Sequence, residues 1–139
     1  MIAFDTNVLT EILLGNPRFV ARAATIPLQQ QAVPVIVVEE LIRGRLNVIR
    51  QAEAQKARVT LDQAYALFQE TFTDVRRLQI LSFTSTAESL CQQWRRRAVR
   101  VSTHDLRIAA TCIVSGACLV TRNRRDFERI SGLTVEFWE

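Results

Sequence analysis

The chain has 139 residues, enough for one compact domain over 1–139 with its own core; 48% are hydrophobic and only 4 are Gly and 3 Pro, which excludes a disordered or fibrous chain. Formal net charge is +4, and among the 18 basic residues Lys56 is the only lysine; arginine's planar fork suits phosphate, so the balance is compatible with nucleic acid. Met1-Ile2-Ala3-Phe4-Asp5 lacks the basic start of a signal peptide, and no apolar run approaches the roughly 18 residues of a bilayer span, so the expected setting is cytoplasmic, away from membrane.

Residues 2–4 predict a short apolar strand. A helix follows from about Thr6 and stops at Gly15. Asn16-Pro17 reads as an N-cap with proline in the first turn, opening a second helix to about Ala24. Val33 to Val37 is a β-branched run broken by Pro34 and predicts a second strand. A helix from about Val38 past Val48 carries Leu41, Gly44, Arg45 and Val48 on one face. Residues 51–58 read as its end or as a loop. Thr60-Leu61-Asp62-Gln63 matches a capping box and opens a long helix to about Thr73. Ile80 to Phe83 predicts the third strand, and Ser85-Thr86-Ala87-Glu88 a second capping box with a helix to about Ala98. Leu106, Ala109, Ala110 and Ile113 recur at helical spacing until Gly116. Cys118 to Thr121 predicts the fourth strand, residues 126–130 a short helix, and Leu133 to Phe137 a last strand. Alternating strands and helices predict an α/β fold, a mainly parallel sheet of four to five strands covered on both faces. Cys91, Cys112 and Cys118 are odd in number and form no CxxC, which predicts reduced thiols.

Three acids stand beside apolar segments where the chain turns into helix: Asp5, Glu40 and Asp105. A lone carboxylate in such a place is costly unless a positive group meets it, and a divalent cation would meet all three. Each also has a plain structural account. Asp105 fits the third position of a capping box opened by Ser102, Glu40 a helix first turn, and Asp5 an N-cap. In a parallel sheet ligands bind beyond the carboxyl ends of the strands, where Asp5 and Asn123 fall.

The segments around these acids resemble the PIN domain, and specifically the VapC-type toxins of bacterial toxin–antitoxin pairs. Asp5-Thr6-Asn7 is similar to that family's opening Asp-Thr-Asn, Glu40-Leu41-Ile42-Arg43-Gly44 to its Glu-Leu-x-x-Gly, and Asp105-Leu106-Arg107-Ile108-Ala109-Ala110 to its Asp-x-x-Ile-Ala-Ala. Thr121-Arg122-Asn123 through Phe127 resembles its closing Thr-x-Asn/Asp-x-x-x-Phe. The four occur in the family's order and span nearly the whole chain. The resemblance implies a PIN-like α/β/α sandwich and an endoribonuclease using Mg²⁺ or Mn²⁺, with Asp5, Glu40 and Asp105 as catalytic metal ligands and Asn123 at a fourth position that is often Asp. Thr6, Asn7, Thr121 and Asp126 stand as supporting residues, and Arg43, Arg122, Arg124 and Arg125 as the nearest candidates to hold RNA. It further implies water attack leaving a 5′-phosphate, a homodimer, and a VapB-like antitoxin on apolar residues such as Leu9, Ile12, Leu13, Phe19 and Val20. Glu39 is expected to point away from the site and His104 to serve a surface or capping role. A dehalogenase-like phosphatase would need an acid at position 7, which is Asn. A receiver domain would need a late lysine, which is absent. The remaining alternative is a PIN-like module that binds RNA or protein without cutting, suggested by Asn123.

Overall fold

The computed structural model describes residues 1–139. Five strands, β1 (Ile2–Phe4), β2 (Gln31–Pro34), β3 (Gln79–Leu81), β4 (Cys118–Thr121) and β5 (Val135–Phe137), form one sheet in the order β3-β2-β1-β4-β5. Every neighbouring pair is parallel, with Ala3 opposite both Ala32 and Leu119. Ala3, Phe4, Ala32, Val33, Leu119 and Val120 are buried, as central strands of a parallel sheet covered on both faces must be. They belong to one cluster of 27 buried apolar residues.

Seven helices flank the sheet: α1 (Thr6–Leu13), α2 (Pro17–Ala24), α3 (Val35–Glu53), α4 (Leu61–Val75), α5 (Ser85–Arg96), α6 (Thr103–Ser115) and α7 (Arg124–Phe127). Their ends follow local chemistry. Asn16 accepts from Arg18 N with Pro17 behind it, Thr60 and Gln63 close a reciprocal capping box, and Ser102 accepts from Asp105 N. Gly116 ends α6 at φ 68°, a left-handed position that glycine adopts without a Cβ clash. No helix is long and apolar enough to cross a membrane.

Several boundaries differ from those the sequence predicts. The Val33–Val37 strand is instead Gln31–Pro34, and Val35 to Val38 open α3. Strand length here is set by pairing: Ala32, Val33 and Pro34 meet Gln79, Ile80 and Leu81, where β3 itself ends. Beyond that point the β-branched residues have no partner strand, and tertiary packing overrides their propensity. α3 then runs on to Glu53 and ends within residues 51–58, as expected. The box expected at Ser85 does not form, because Thr84 is the N-cap and accepts from Ala87 N. The short helix expected at 126–130 lies at Arg124–Phe127, because Asn123 caps it. Cys91 and Cys112 are buried free thiols and Cys118 is half-buried.

Along the chain the sheet grows from β1 through β2 to β3 and then crosses to β4 and β5 on the other side of β1. Strand order thus reverses between β1 and β4, and the carboxyl ends of those strands mark the crevice in which such sheets usually hold a ligand.

Candidate active site

Asp5 is the first residue past β1. Its N–H still bonds to Val120 O across the sheet at 2.9 Å, while its side chain caps α1. Oδ1 accepts from Thr6 N at 2.8 Å and Oδ2 from Thr121 Oγ1 at 2.6 Å. The residue is 5% exposed. Burial pushes its carboxyl up to about 6, against the two hydrogen bonds that favour the charged form; the charges of Asp105 and Glu40 add to the rise.

Glu40 lies one turn and a half into α3, and its Oε1 accepts from Thr6 Oγ1 at 2.9 Å. Thr6 thus ties β1's exit to α3, one bond to each acid. Glu39, expected to point away, pairs with Arg43 at 2.8 Å through one oxygen and turns the other toward His104. His104 stands between the two glutamates, with Nε2 3.7 Å from Glu39 and Nδ1 3.8 Å from Glu40, so it joins the rim of the site instead of the open surface. Asp105 sits in the first turn of α6, its N–H on Ser102 Oγ at 3.2 Å. Its carboxyl is raised first by burial, then by the charges of Asp126 and Glu40, while Ser102 and His104 pull it down.

Asn123, at the fourth motif position, is paired with Asp126. Asn123 Oδ1 accepts from Asp126 N at 3.4 Å as the cap of α7, and its Nδ2 donates to Asp126 Oδ2 at 2.9 Å. The Asn123 side chain is therefore committed to α7, and the carboxylate on that side belongs to Asp126, whose charge reaches Asp105. Thr121 links this corner to Asp5, since its Oγ1 also accepts from Asn123 N at 3.0 Å. Asn7 orients the loop, accepting from Arg122 N at 3.1 Å.

Asp5, Asp105 and Asp126 have no cationic partner among the ion pairs. The donors are all oxygens, which suits a hard divalent cation. No three of the His, Cys, Asp and Glu side chains stand close enough to clasp one ion directly.

The four arginines singled out from the sequence are not equally free. Arg43 is held by Glu39; Arg122 pairs with Glu11 at 2.9 Å and lies over Phe19; Arg124 stacks on Phe137 at 4.2 Å. Arg125 alone is exposed without a side-chain partner. Proximity in sequence to a site residue misses pairings such as Arg122 with Glu11, which join residues 111 positions apart.

A parallel sheet whose strand order reverses between β1 and β4, with Asp5 and Thr121 delivered side by side at that point, defines an α/β protein of the doubly wound class. Residues 2–133 match the family described as PIN domain, and the chain belongs to that family. It is 30% identical over 106 residues to "Ribonuclease VapC1" of Rickettsia felis, covering 76% of this chain and 75% of that one. It is 24% identical over 138 residues to the "tRNA(fMet)-specific endonuclease VapC" of Salmonella typhimurium, covering 96% and 95%. Among solved structures, the DNA-bound VapBC from Salmonella typhimurium superposes with a TM-score of 0.75 at 25% identity, over 99% of this chain and 98% of that chain.

Proposed function

We propose that this chain is the toxin half of a VapC-type toxin–antitoxin pair, a divalent-metal-dependent endoribonuclease of the cytoplasm that hydrolyses phosphodiester bonds in the crevice between β1 and β4. The observation that carries the reading is the grouping of a nearly inaccessible Asp5 with Asp105, Glu40 and Asp126, with His104 beside Glu40 and no Lys or Arg paired to any of the four. The named activities of the relatives, ribonuclease and tRNA-specific endonuclease, support it.

Asp5 and Asp105 are the ligands we assign to Mg²⁺ or Mn²⁺, with Glu40 and Asp126 reaching the ion through water. Such an ion, when bound, supplies Lewis-acid charge at the phosphoryl oxygens and lowers the pKa of a water. Thr6 and Thr121 keep Asp5 in its charged form by donating to both of its oxygens. Glu40 has one oxygen occupied by Thr6, which leaves Oε2 to take the proton of the attacking water. Attack by water leaves a 5′-phosphate and a 3′-hydroxyl and makes no use of the substrate's 2′-hydroxyl. Asn123 is a positioning residue that holds Asp126. On this reading Asp126 supplies the acid that the family often has at position 123, and its pairing with Asn123 supports a cutting enzyme over a non-cutting module.

The apolar residues expected to meet an antitoxin divide in two. Ile12, Leu13 and Val20 line a groove of about 270 Å³ together with Leu28 and Leu78, with Leu9 at its buried floor, whereas Phe19 is buried in the core outside it. A VapB-like antitoxin segment in that groove agrees with the VapBC complexes among the structural relatives.

The test is cleavage of total cellular RNA with Mg²⁺ or with EDTA, reading the new ends. Metal-dependent cuts bearing 5′-phosphates are expected. Asp126→Asn should lower the rate at least a hundredfold, while Asn123→Ser, which can still cap α7, should lower it less than tenfold. The reverse ranking would return the fourth role to Asn123, and no cuts with Mg²⁺, or with Mn²⁺ in its place, would favour the binding module.

A further inference from the structure

Outside the cleft, the densest charge lies where α5 ends and turns toward α6. Arg95, Arg96, Arg97 and Arg100 are all exposed there, and Arg129 joins them from beyond α7. None of the five takes part in an ion pair. Two hydrogen bonds tie this group together and to the start of α6. Arg95 Nη2 donates to Thr103 Oγ1 at 3.4 Å, two residues before Asp105, and Arg129 Nη1 donates to Arg100 O at 3.2 Å, three residues after Asp126.

The turn that carries them is anchored. Ala98 N bonds to Arg95 O at 3.0 Å and Val99 N to Trp94 O at 3.1 Å, while Val99 and Val101 pack against the core. Ala98 takes φ 56° to make the turn. Arg97 and Arg100 are therefore presented from a held backbone, which lowers the entropy lost on binding.

We infer that Arg96, Arg97 and Arg100, with Arg129 beside them, form a phosphate track that holds the backbone of a single-stranded RNA segment leading away from the cleft. The inference rests on the ribonuclease reading and extends it to residues that the motifs do not touch. RNA fits better than an acidic protein because Arg95 is bonded to Thr103, two residues before Asp105, and Arg129 lies three residues after Asp126, so a strand seated in the cleft passes beside this surface, and because exposed arginines without acidic partners are free to meet phosphates. Contacts of this kind position the strand without reading its sequence.

The experiment uses Asp5→Asn protein, which should not cut, and a labelled 20-nucleotide unstructured RNA, measuring anisotropy across salt concentrations. Arg96→Gln, Arg97→Gln and Arg100→Gln together should weaken binding at least tenfold at moderate salt. The slope of log affinity against log salt should flatten by about 2, three contacts at roughly 0.7 each. A control triple with the same charge change, at the exposed Arg18, Arg50 and Arg58, should leave the slope near that of the parent. An unchanged slope in the first triple, or an equal loss in the control, overturns the track. Cleavage of a labelled hexanucleotide by the wild-type protein checks the nuclease reading separately, so the failure of one is distinguishable from the failure of the other.

Discussion

Asp5 is nearly out of contact with water, yet its part in the cleft requires it charged at neutral pH. Its carboxyl moves from an ordinary value of 3.8 to about 6. The difference of some two units corresponds to about 3 kcal/mol of folding free energy given up when it ionises in the metal-free protein. Asparagine at this position keeps an acceptor for Thr6 or for Thr121 but cannot serve both, which costs about 1 kcal/mol. Asp5→Asn should therefore abolish cleavage and raise the stability of metal-free protein at pH 7.5 by about 2 kcal/mol, read from urea unfolding. An inactive variant that is less stable than its parent would mean that Asp5 serves the fold and not the ion. The neighbouring threonines share the same logic, since each hydroxyl and N–H given to Asp5 holds the charged form that burial opposes.

Two elements carry backbone choices that run opposite to the usual placement of glycine. Gly44 lies inside α3, where a Cβ would meet nothing within 4 Å, and Ala98 sits at the left-handed end of α5 with φ 56°. Gly44→Ala should gain about 1 kcal/mol of helix stability, and Ala98→Gly about 1 kcal/mol by relieving the Cβ clash. Thermal melts should show each as a rise of roughly 3 °C. A gain in Gly44→Ala accompanied by loss of RNA cleavage would show that the open space at Gly44 is kept for a close approach of substrate. The same elements show which parts of the fold were legible in the sequence. Capping signals at Asn16, Thr60, Ser102 and Gly116 act within a few residues and correctly mark their helix ends. The β2–α3 boundary did not follow from the β-branched run Val35 to Val38, because it depends on where β3 stops pairing. The acids were legible because they interrupt apolar segments. The pairing of Asn123 with Asp126 was not, because either residue could cap or ligate until the start of α7 was known.

At the scale of the whole molecule, a chain of net charge +4 keeps its least compensated acids in one crevice and spreads arginine over the surface around it. The topology makes this possible, since the carboxyl ends of parallel β1 and β4 deliver Asp5 and Thr121 to the point where strand order reverses. The result is a local conflict that the 27-residue core must outweigh. Both Asp5 and Asp105 ionise less readily in the folded chain than in the unfolded one. Between about pH 4 and about pH 6 the folded state consequently binds more protons than the unfolded state. The stability held by protonated Asp5 is thus fully present below its unfolded value and is lost as pH rises through about 6. Metal-free protein should accordingly be more stable near pH 5 than at pH 7.5. A divalent ion binds only the ionised crevice, so saturating Mg²⁺ or Mn²⁺ should restore stability at pH 7.5, by about 2.7 kcal/mol at a hundred times its dissociation constant, and do little at pH 4.5. Calorimetric melts at the two pH values, with and without metal, check the four corners of this cycle. Equal stabilisation at both pH values would place the ion outside the crevice, and the same melts on Asp5→Asn should show most of the metal effect gone.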